Sequence, residues 1–359
     1  MWHMYAHFKM SYSVKLRQFI HFETARLLLA GVGFICSMVA CLAVFANDAF
    51  YFLHFGLTPS FVLFLVGLVL GGLSGLWGLG LVIALLPLTV GFPTLLTHFF
   101  EIKLVVMPNP GLDLVAGYFL AYISKQMITK FDTYKTKSKS LMALIQSTPW
   151  PLGLVMLMIT ASAVLAVSRN LYLSASTSSL RGVLFNLLHF RPIDWVADYL
   201  PIGNWVAYAV AVSLIILIIS SFKSFNSEQK NAWVFRSLIF GLIISSIAGL
   251  TQSYTGWGLP EAQLQFRKDA FGFAAIGMQP DLHAFSAHML LGVVGIWGYF
   301  LFCKSKLEKI FIFLTFLLCS AGLVASKSRA SLLIAVISLA MMGLIYCFRH
   351  KYCCNKTMV

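Results

Sequence analysis

Long apolar runs, separated by short polar segments, follow one another along most of the chain. Charged residues or Gly/Pro turns bound each run, and about 20 apolar residues in a helix cross the hydrocarbon core of a membrane. The pattern predicts spans near residues 27–46, 60–75, 77–94, 104–123, 150–167, 204–222, 233–250, 283–302, 310–325 and 330–348. The predicted fold class is therefore all-α, a polytopic transmembrane helix bundle of about ten spans.

The boundary between the second and third spans is the least defined part of this pattern. The stretch GGLSGLWGLG over residues 71–80 fits either a tight turn between two helices or the flexible middle of one helix. Just before it, GLVLGG over residues 67–72 places small residues at the spacing that lets helices approach closely. We interpret these glycines as a helix-packing surface and not as a ligand site.

The composition supports a single membrane bundle. Of 359 residues, 59% are hydrophobic and 11% are charged, and the mean hydropathy is +0.85. One soluble core does not use so much apolar surface. The apolar runs occupy most of the chain, so we predict one transmembrane domain over residues 1–359 without a separate soluble domain. The first run is too long for a signal peptide and is expected to be a retained anchor.

The net charge of +14 indicates orientation in the membrane and not nucleic-acid binding, because cytoplasmic loops carry an excess of Lys and Arg. With ten spans and both termini cytoplasmic, 18 of the 26 Lys and Arg residues fall on the cytoplasmic side. Five of them lie in a basic cytoplasmic loop over residues 124–149. The predicted periplasmic loops are residues 168–203 and 251–282.

Arginines on the outward side are the first candidates for binding. They are Arg181 and Arg191 in the first long loop, Arg267 in the second, and Arg329 at the start of the last span. A guanidinium pairs with two phosphate oxygens and stays charged at any working pH, which suits a lipid diphosphate. The alternative is that each arginine reaches lipid phosphates from a helix end.

Histidines at the same depth are candidates for the base that takes a proton from an acceptor hydroxyl. His283 and His288 begin the eighth span, just after Asp281. Their spacing of five residues places them about 140° apart on a helix, so they do not form a metal-binding pair. His189 is a further candidate, and a histidine satisfied by backbone or water is the alternative in each case.

Three carboxylates have less definite roles. Asp194 and Asp198 lie four residues apart and are placed to pair with Arg191. Asp113 lies within the apolar fourth span after MPNPG, where a carboxylate is costly. It is expected to cap the helix or to line a polar cavity.

Familiar cofactor signatures are missing from the sequence. It contains no Walker loop, no Gly-rich dinucleotide fingerprint, no nucleophile elbow and no DxD-like motif in a loop. The seven cysteines form no CxxC pair, so neither a zinc site nor a disulfide framework is expected. We therefore predict no cofactor, no metal and no nucleic-acid partner.

Two segments resemble the O-antigen ligase and O-antigen polymerase family of bacterial inner-membrane glycosyltransferases. They are QFRKDAFGFAAIGMQPDLHAFSAHMLLGVVGIWGYF and, one span later, CSAGLVASKSRASLLIAVISLAMMGLIY. In that family an arginine-containing loop enters a helix through a Pro-Asn-like turn, here Gln279-Pro280-Asp281. A later helix begins with a Ser-Arg pair, here Ser328-Arg329. The resemblance covers residues 260–348, and before them only the hydropathy is similar.

The resemblance implies a fold of the large membrane glycosyltransferase (GT-C-like) type. It implies metal-independent, inverting transfer of an undecaprenyl-diphosphate-linked oligosaccharide at the periplasmic face of the inner membrane. The acceptor would be lipid A core sugar, for a ligase in lipopolysaccharide biosynthesis, or a second lipid-linked glycan, for a polymerase. Arg267 and Arg329 match the family's diphosphate-binding arginines.

The chain departs from the family after its last helix. Members usually continue into a large periplasmic loop that supplies a functional histidine, whereas this sequence continues only as FRHKYCCNKTMV. Either it uses another base, such as His283 or His288, or it is a truncated member. Two other functions stay open: a transporter or flippase for a lipid-linked or anionic solute, and a non-catalytic membrane subunit.

Overall fold

The computed structural model describes residues 2–73, 75–89, 91, 110–128, 142, 145–146, 148–174, 201–221, 227–259, 268–269, 272–279, 281–303 and 305–356. Ten α-helices occur in these residues. They are α1 (Trp2–Phe55), α2 (Pro59–Gly72), α3 (Gly75–Leu85), α4 (Pro110–Ile128), α5 (Trp150–Ser174), α6 (Pro201–Ser221), α7 (Ser227–Thr255), α8 (Leu282–Phe302), α9 (Lys306–Ala325) and α10 (Arg329–Lys356). A 3-10 turn (Leu86–Leu88) follows α3, and two short strands, β1 (Lys268–Asp269) and β2 (Gly272–Phe273), pair antiparallel between α7 and α8.

Seven of the described helices are long and apolar enough to cross a membrane, and they make the chain a multi-pass membrane protein. These stretches are Phe22–His54, Trp150–Arg169, Pro201–Ser221, Trp233–Thr255, Leu282–Leu301, Lys306–Ala325 and Arg329–Tyr346. The prediction of an all-α polytopic protein is therefore confirmed. The count of ten spans stays a prediction, because α2 and the helix after it are shorter apolar helices and α4 carries Asp113 and Lys125.

The glycine-rich stretch after α2 separates two helices. α2 begins at Pro59 behind the capping hydroxyl of Thr58, and it ends at Gly72. Leu73 then takes an extended conformation, and α3 begins at Gly75. Of the two interpretations that the sequence allowed, the turn is correct.

Helix contacts divide the chain into two compact units, and the single transmembrane domain stays a prediction. The first unit comprises Met1–Leu79 and Leu112–Ser224, and the second comprises Gly80–Gly111 and Phe225–Val359. Each has a buried apolar interior and exposes large apolar side chains on its helices, for example Leu165 in the first unit and Leu333 in the second. Exposed apolar helix surfaces of this kind suit a lipid environment.

In the first unit, glycines bring α2 and α4 into backbone contact. A Cβ atom added at Gly67 would collide with the carbonyl oxygen of Leu114, and one added at Gly71 would lie 2.8 Å from the Ala121 Cβ. A Cβ atom added at Gly117 of α4 would in turn meet the α2 backbone at Phe64. The predicted role of the α2 glycines in helix packing is confirmed.

Three helices of the first unit run in the same direction. Cys36 of α1 is hydrogen-bonded to Thr160 of α5, which also accepts a hydrogen bond of 2.8 Å from Trp205 Nε1 of α6. Ser37 Oγ donates to the Ala209 carbonyl at 3.0 Å. One turn further along both helices, the Cys41 thiol lies 3.8 Å from Ser213 Oγ.

This parallel arrangement differs from the predicted up-and-down alternation, in which α5 and α6 are antiparallel. The predicted loop 168–203 is also shorter at both ends, because α5 continues to Ser174 and α6 begins at Pro201. The arginines predicted in that loop, Arg181 and Arg191, lie outside the described residues.

The second unit is an antiparallel arrangement of α7, α8, α9 and α10. The Phe235 ring of α7 stacks on Tyr299 near the end of α8, with 5.1 Å between ring centroids. At the other end of these helices, Gly249 of α7 packs against Phe285 near the start of α8. Phe285 and Met289 are fully buried in the core that α8 forms with α7 and α9. α7 extends to Thr255, so the predicted loop 251–282 begins later than expected.

Candidate functional site

Four helix ends meet at one edge of the second unit, which we call the Arg329 edge. α7 ends there at Thr255 and α9 at Ala325, while α8 begins at Leu282 and α10 begins at Arg329. The strand β2 and residues 274–279 run between these ends. Among the described residues that carry the family resemblance, Gln279, Asp281, Ser328 and Arg329 lie at this edge.

Gln252, in the last turn of α7, holds the chain that leads from β2 into α8. Its side chain is buried, with 5% exposure. Its Oε1 accepts from the backbone N–H of Ile276 at 3.1 Å and of Gly277 at 2.7 Å, and its Nε2 donates to the Gly277 carbonyl at 2.9 Å. Gly277 has a φ of +57°, a left-handed conformation that favours glycine. Together they determine the path of the chain into α8.

We expect Gln252→Leu to release this segment. The substitution leaves two backbone N–H groups and a carbonyl without partners in a buried place, which costs on the order of 2 kcal/mol or more. Hydrogen exchange at the Ile276 and Gly277 amides should become faster, while exchange in the middle of α9 stays unchanged. Thr251→Leu is the matched control, because Thr251 is the exposed neighbour on the same helix. Unchanged exchange in Gln252→Leu would show that the side chain does not hold the segment.

The corner between α9 and α10 has an unusual backbone conformation. Lys327 has a φ of 55°, which is uncommon for a residue other than glycine. Its Nζ donates to the Gly272 carbonyl at 2.6 Å, and the neighbouring Ala275 N–H donates to the Ala325 carbonyl at 3.0 Å. These bonds attach the corner to the β2 segment and position the first turn of α10.

The start of α8 already carries a negative charge. Asp281 accepts from the backbone N–H of His283 at 2.7 Å and of Ala284 at 2.8 Å, and so caps the helix. A carboxylate here satisfies the positive end of the helix dipole. His283 follows in the first turn of α8 with an exposed side chain.

A chain of hydroxyl groups links the starts of α8 and α10. Ser328 Oγ donates to Ser331 Oγ at 3.0 Å, and Ser331 Oγ donates to Ser286 Oγ at 3.0 Å. Ser286 Oγ donates to the His283 carbonyl at 2.9 Å. These bonds connect the first turn of α10 to the first turn of α8, the turns that contain Arg329 and His283.

Arg329 is the first residue of α10, and its side chain is exposed. No ion pair involves Arg329 within the described part of the chain. The helix start here is capped by the neutral Ser328 hydroxyl, which lies 3.5 Å from the Ser331 N–H. An exposed guanidinium beside a helix N-terminus that lacks a carboxylate cap is a favourable place for an anion.

His288 lies further along α8 and is half-buried. Gln279 Nε2 donates to the Pro87 carbonyl at 2.9 Å and lies 3.0 Å from His288 Nδ1. Because a carbonyl only accepts hydrogen bonds, the Gln279 atom that contacts the Pro87 carbonyl is the amide NH2 group. The same NH2 group also contacts His288, so Nδ1 of His288 is the acceptor of that hydrogen bond. The neutral ring therefore carries its proton on Nε2 and offers a donor there.

The sequence-predicted site residues divide into two groups. His283 and Arg329 both lie in helix turns at the Arg329 edge, and His288 lies deeper on α8. Arg267, Arg181, Arg191, His189, Asp194 and Asp198 lie outside the described residues, so their roles stay predictions. The sequence reading missed Gln252, Ser286 and Ser331, although Ser331 lies one turn after Ser328 in a conspicuous Ser-Lys-Ser-Arg-Ala-Ser run.

The opposite edge of the second unit has a different charge pattern. Arg236 Nε lies 3.0 Å from Glu308 Oε1, and the Tyr299 hydroxyl donates to the same oxygen at 2.7 Å. This cluster closes the other ends of α7, α8 and α9, and we call it the Glu308 edge. Here the arginine has a carboxylate partner, whereas Arg329 has none among the described residues.

The chain matches no known protein family, no curated protein and no solved structure in any of three comparisons. Support for a function therefore comes from the fold, from the residues of the Arg329 edge and from the resemblance of the two sequence segments.

Proposed function

We propose that the chain transfers a lipid-diphosphate-linked glycan at the outer face of a bacterial inner membrane, as an O-antigen ligase or polymerase does. The donor would be an undecaprenyl-diphosphate-linked oligosaccharide. The acceptor would be lipid A core sugar or a second lipid-linked glycan. The observation that carries the proposal is the exposed Arg329 at the start of α10, beside a helix N-terminus with only a hydroxyl cap.

The chemistry of this edge suits a departing diphosphate. As the acceptor oxygen forms its bond to the anomeric carbon, the bond to the diphosphate oxygen breaks and negative charge grows on that oxygen. A guanidinium and the N-terminus of a helix both stabilise charge that develops there. Arg267 precedes β1 in the sequence and is proposed as a second diphosphate-binding arginine.

His283 is proposed as the base that takes the proton of the acceptor hydroxyl. Its side chain is exposed in the first turn of α8, and the hydroxyl chain connects that turn to α10. Because Nδ1 of His288 accepts from Gln279, its Nε2 carries the proton and can donate a hydrogen bond. His288 is therefore proposed to bind a sugar oxygen. No covalent enzyme intermediate and no metal ion are needed for this inverting transfer.

The charges of the second unit support an outward Arg329 edge. Among the described residues between 227 and 356, seven Lys and Arg residues lie at or beyond the helix ends of the Glu308 edge: Lys230, Arg236, Lys306, Lys309, Arg349, Lys351 and Lys356. The Arg329 edge has three in the same part of the chain: Lys268, Lys327 and Arg329. The positive-inside rule places the more basic edge in the cytoplasm. The direction of α6, in the first unit, does not affect this difference in charge.

We expect opposite labelling of the two edges of the second unit in intact cells. In a variant without native cysteines, Ala330→Cys should react with a maleimide that cannot cross the inner membrane, and Leu307→Cys should react only after cell lysis. Both native side chains are exposed, so access within the fold is comparable. The reverse pattern would place residue 330 in the cytosol and remove the basis for transfer at the outer face.

The decisive experiment separates glycan transfer from transport. Purified protein in proteoliposomes is given a lipid-diphosphate-linked glycan and an acceptor, and both new glycosidic products and translocation are measured. Formation of a product together with free lipid diphosphate supports the proposal. Translocation without any product identifies a flippase, the second candidate function, in which Arg329 binds the headgroup during transport.

A gene deletion then separates the two forms of the reaction. Loss of all long O-chains from lipopolysaccharide would identify a ligase, whereas retention of a single repeat would identify a polymerase. Unchanged surface polysaccharide in the deletion strain would indicate a non-catalytic subunit and contradict both forms.

A further inference from the structure

Two aspartates of the first unit are buried close to one another. Asp48 lies near the end of α1 with 0% exposure, and Asp113 lies in the first turn of α4 with 6% exposure. The two carboxyl groups interact electrostatically, and the Ser60 hydroxyl at the start of α2 is hydrogen-bonded to Asp113. The ends of three helices therefore enclose this pair.

Most of the oxygens of the pair have no hydrogen-bond partner among the described residues. Both carboxyl oxygens of Asp48 and Oδ2 of Asp113 are buried and unpaired within that part of the chain. An ionised carboxylate in an apolar interior costs several kcal/mol unless a cation or hydrogen-bond donors compensate it. Two such carboxylates side by side add their mutual repulsion to that cost.

The packed helices provide no compensating cation among their described side chains. α2 contains no titratable residue and α6 no charged one. Lys125 of α4 donates instead to the carbonyls of Gly72 and Leu73 at the other end of α2. Arg169 of α5 is exposed, and on α1 the nearest titratable groups after Asp48 are Tyr51 and His54. Without a cation, a proton is the simplest species that removes the charge.

We propose that Asp48 and Asp113 form a proton-binding site in the first unit, in which the two carboxyl groups hold an exchangeable proton between them. On protonation, an O–H bond of a hydronium ion breaks as the carboxyl O–H bond forms, and on release the carboxyl O–H bond breaks as the proton returns to water. The protonated carboxyl then donates to an oxygen of its neighbour, which removes one unpaired acceptor. The Ser60 hydroxyl orients Asp113 in this arrangement.

The position of the pair allows exchange with water. Asp48 lies seven residues before the end of α1 at Phe55, and Asp113 lies three residues after the start of α4 at Pro110. Helices rise about 1.5 Å per residue, so both groups lie within about 10 Å of a helix end. Ionisable residues at such depths are commonly part of proton pathways. Proton binding by this pair is independent of glycan transfer at the Arg329 edge.

Two carbodiimides test the proposal on the unmodified protein. The apolar reagent dicyclohexylcarbodiimide attacks protonated carboxyl groups in apolar surroundings, so mass spectrometry should find it on the peptide with Asp48 or Asp113. That labelling should decrease as the pH rises. A water-soluble carbodiimide should instead label Glu23, whose side chain on the same helix is 47% exposed. Absence of apolar labelling at both aspartates at every pH would overturn the proposal.

Infrared spectroscopy gives an independent measurement. Wild-type protein should show the C=O band of a protonated carboxyl group, which Asp48→Asn or Asp113→Asn removes or shifts. Asparagine has nearly the shape of a protonated aspartate, so we expect the thermal stability of Asp48→Asn to stay near that of the wild type. Absence of this band from the wild type would overturn the proposal. Its appearance in Lys103→Gln, at the lysine that precedes α4 in the sequence, would then show that a lysine neutralises the pair. If the variants do not fold, the wild-type band and the carbodiimide labelling decide alone.

Discussion

Arg329→Ala is expected to reduce glycan transfer by about 10²- to 10³-fold, the usual loss when one group that stabilises developing negative charge is removed. The guanidinium lies in the first turn of α10 with no ion-pair partner in the described part of the chain. Its loss therefore breaks no intramolecular ion pair there, and stability should stay near wild type. The measurement is the rate of product formation in proteoliposomes, with the thermal midpoint of the same preparations.

The matched control is Arg236→Ala at the Glu308 edge. Arg236 forms an ion pair with Glu308, whereas Arg329 forms none in the described part of the chain. Substitution of Arg236 should nevertheless leave the transfer rate within a few-fold of wild type. Arg329→Lys should recover only part of the activity, since an ammonium does not form the paired bonds of a guanidinium with two phosphate oxygens. Equal activity of Arg329→Ala and wild type would show that Arg329 does not stabilise the departing diphosphate, and would contradict the proposed function.

The length of the apolar runs was sufficient to predict the helices, because a membrane-spanning helix must satisfy its backbone internally and expose apolar side chains to lipid. Each of the ten predicted spans overlaps a described helix. The direction of α6 was not predictable in the same way. Hydropathy shows that a helix is present but not which neighbour it meets, and the contacts of Ser37 and Trp205 join residues far apart in sequence.

The candidate site was only partly predictable for a related reason. Arg329 and His283 have sequence signals, a cation at the start of an apolar run and a histidine just after Asp281. Gln252 has none, since its three bonds connect it to a segment about 25 residues later. Asp113 was identifiable from the sequence because it is an acid within an apolar run. Asp48 was not identified because the predicted first span ended before it.

Gly67→Ala should destabilise the first unit by on the order of 2 to 3 kcal/mol, despite the higher helix propensity of alanine. The added methyl group would collide with the Leu114 carbonyl oxygen and lie 2.9 Å from the Tyr118 nitrogen. Both are backbone atoms of α4, so the contact is relieved only by moving α2 and α4 apart. The thermal midpoint of the purified protein in detergent measures the effect.

Gly72→Ala, on the same helix, is the control for this prediction. Gly72 is exposed and an added Cβ meets nothing within 4 Å, so alanine there should be neutral or slightly stabilising. If both variants unfold at the wild-type temperature, α2 and α4 do not pack with their backbones in contact. Separation of these helices would also move Ser60 and Asp113 apart. A destabilised Gly67→Ala is therefore expected to lose the carbodiimide labelling of the aspartate pair as well, and Gly72→Ala is expected to keep it.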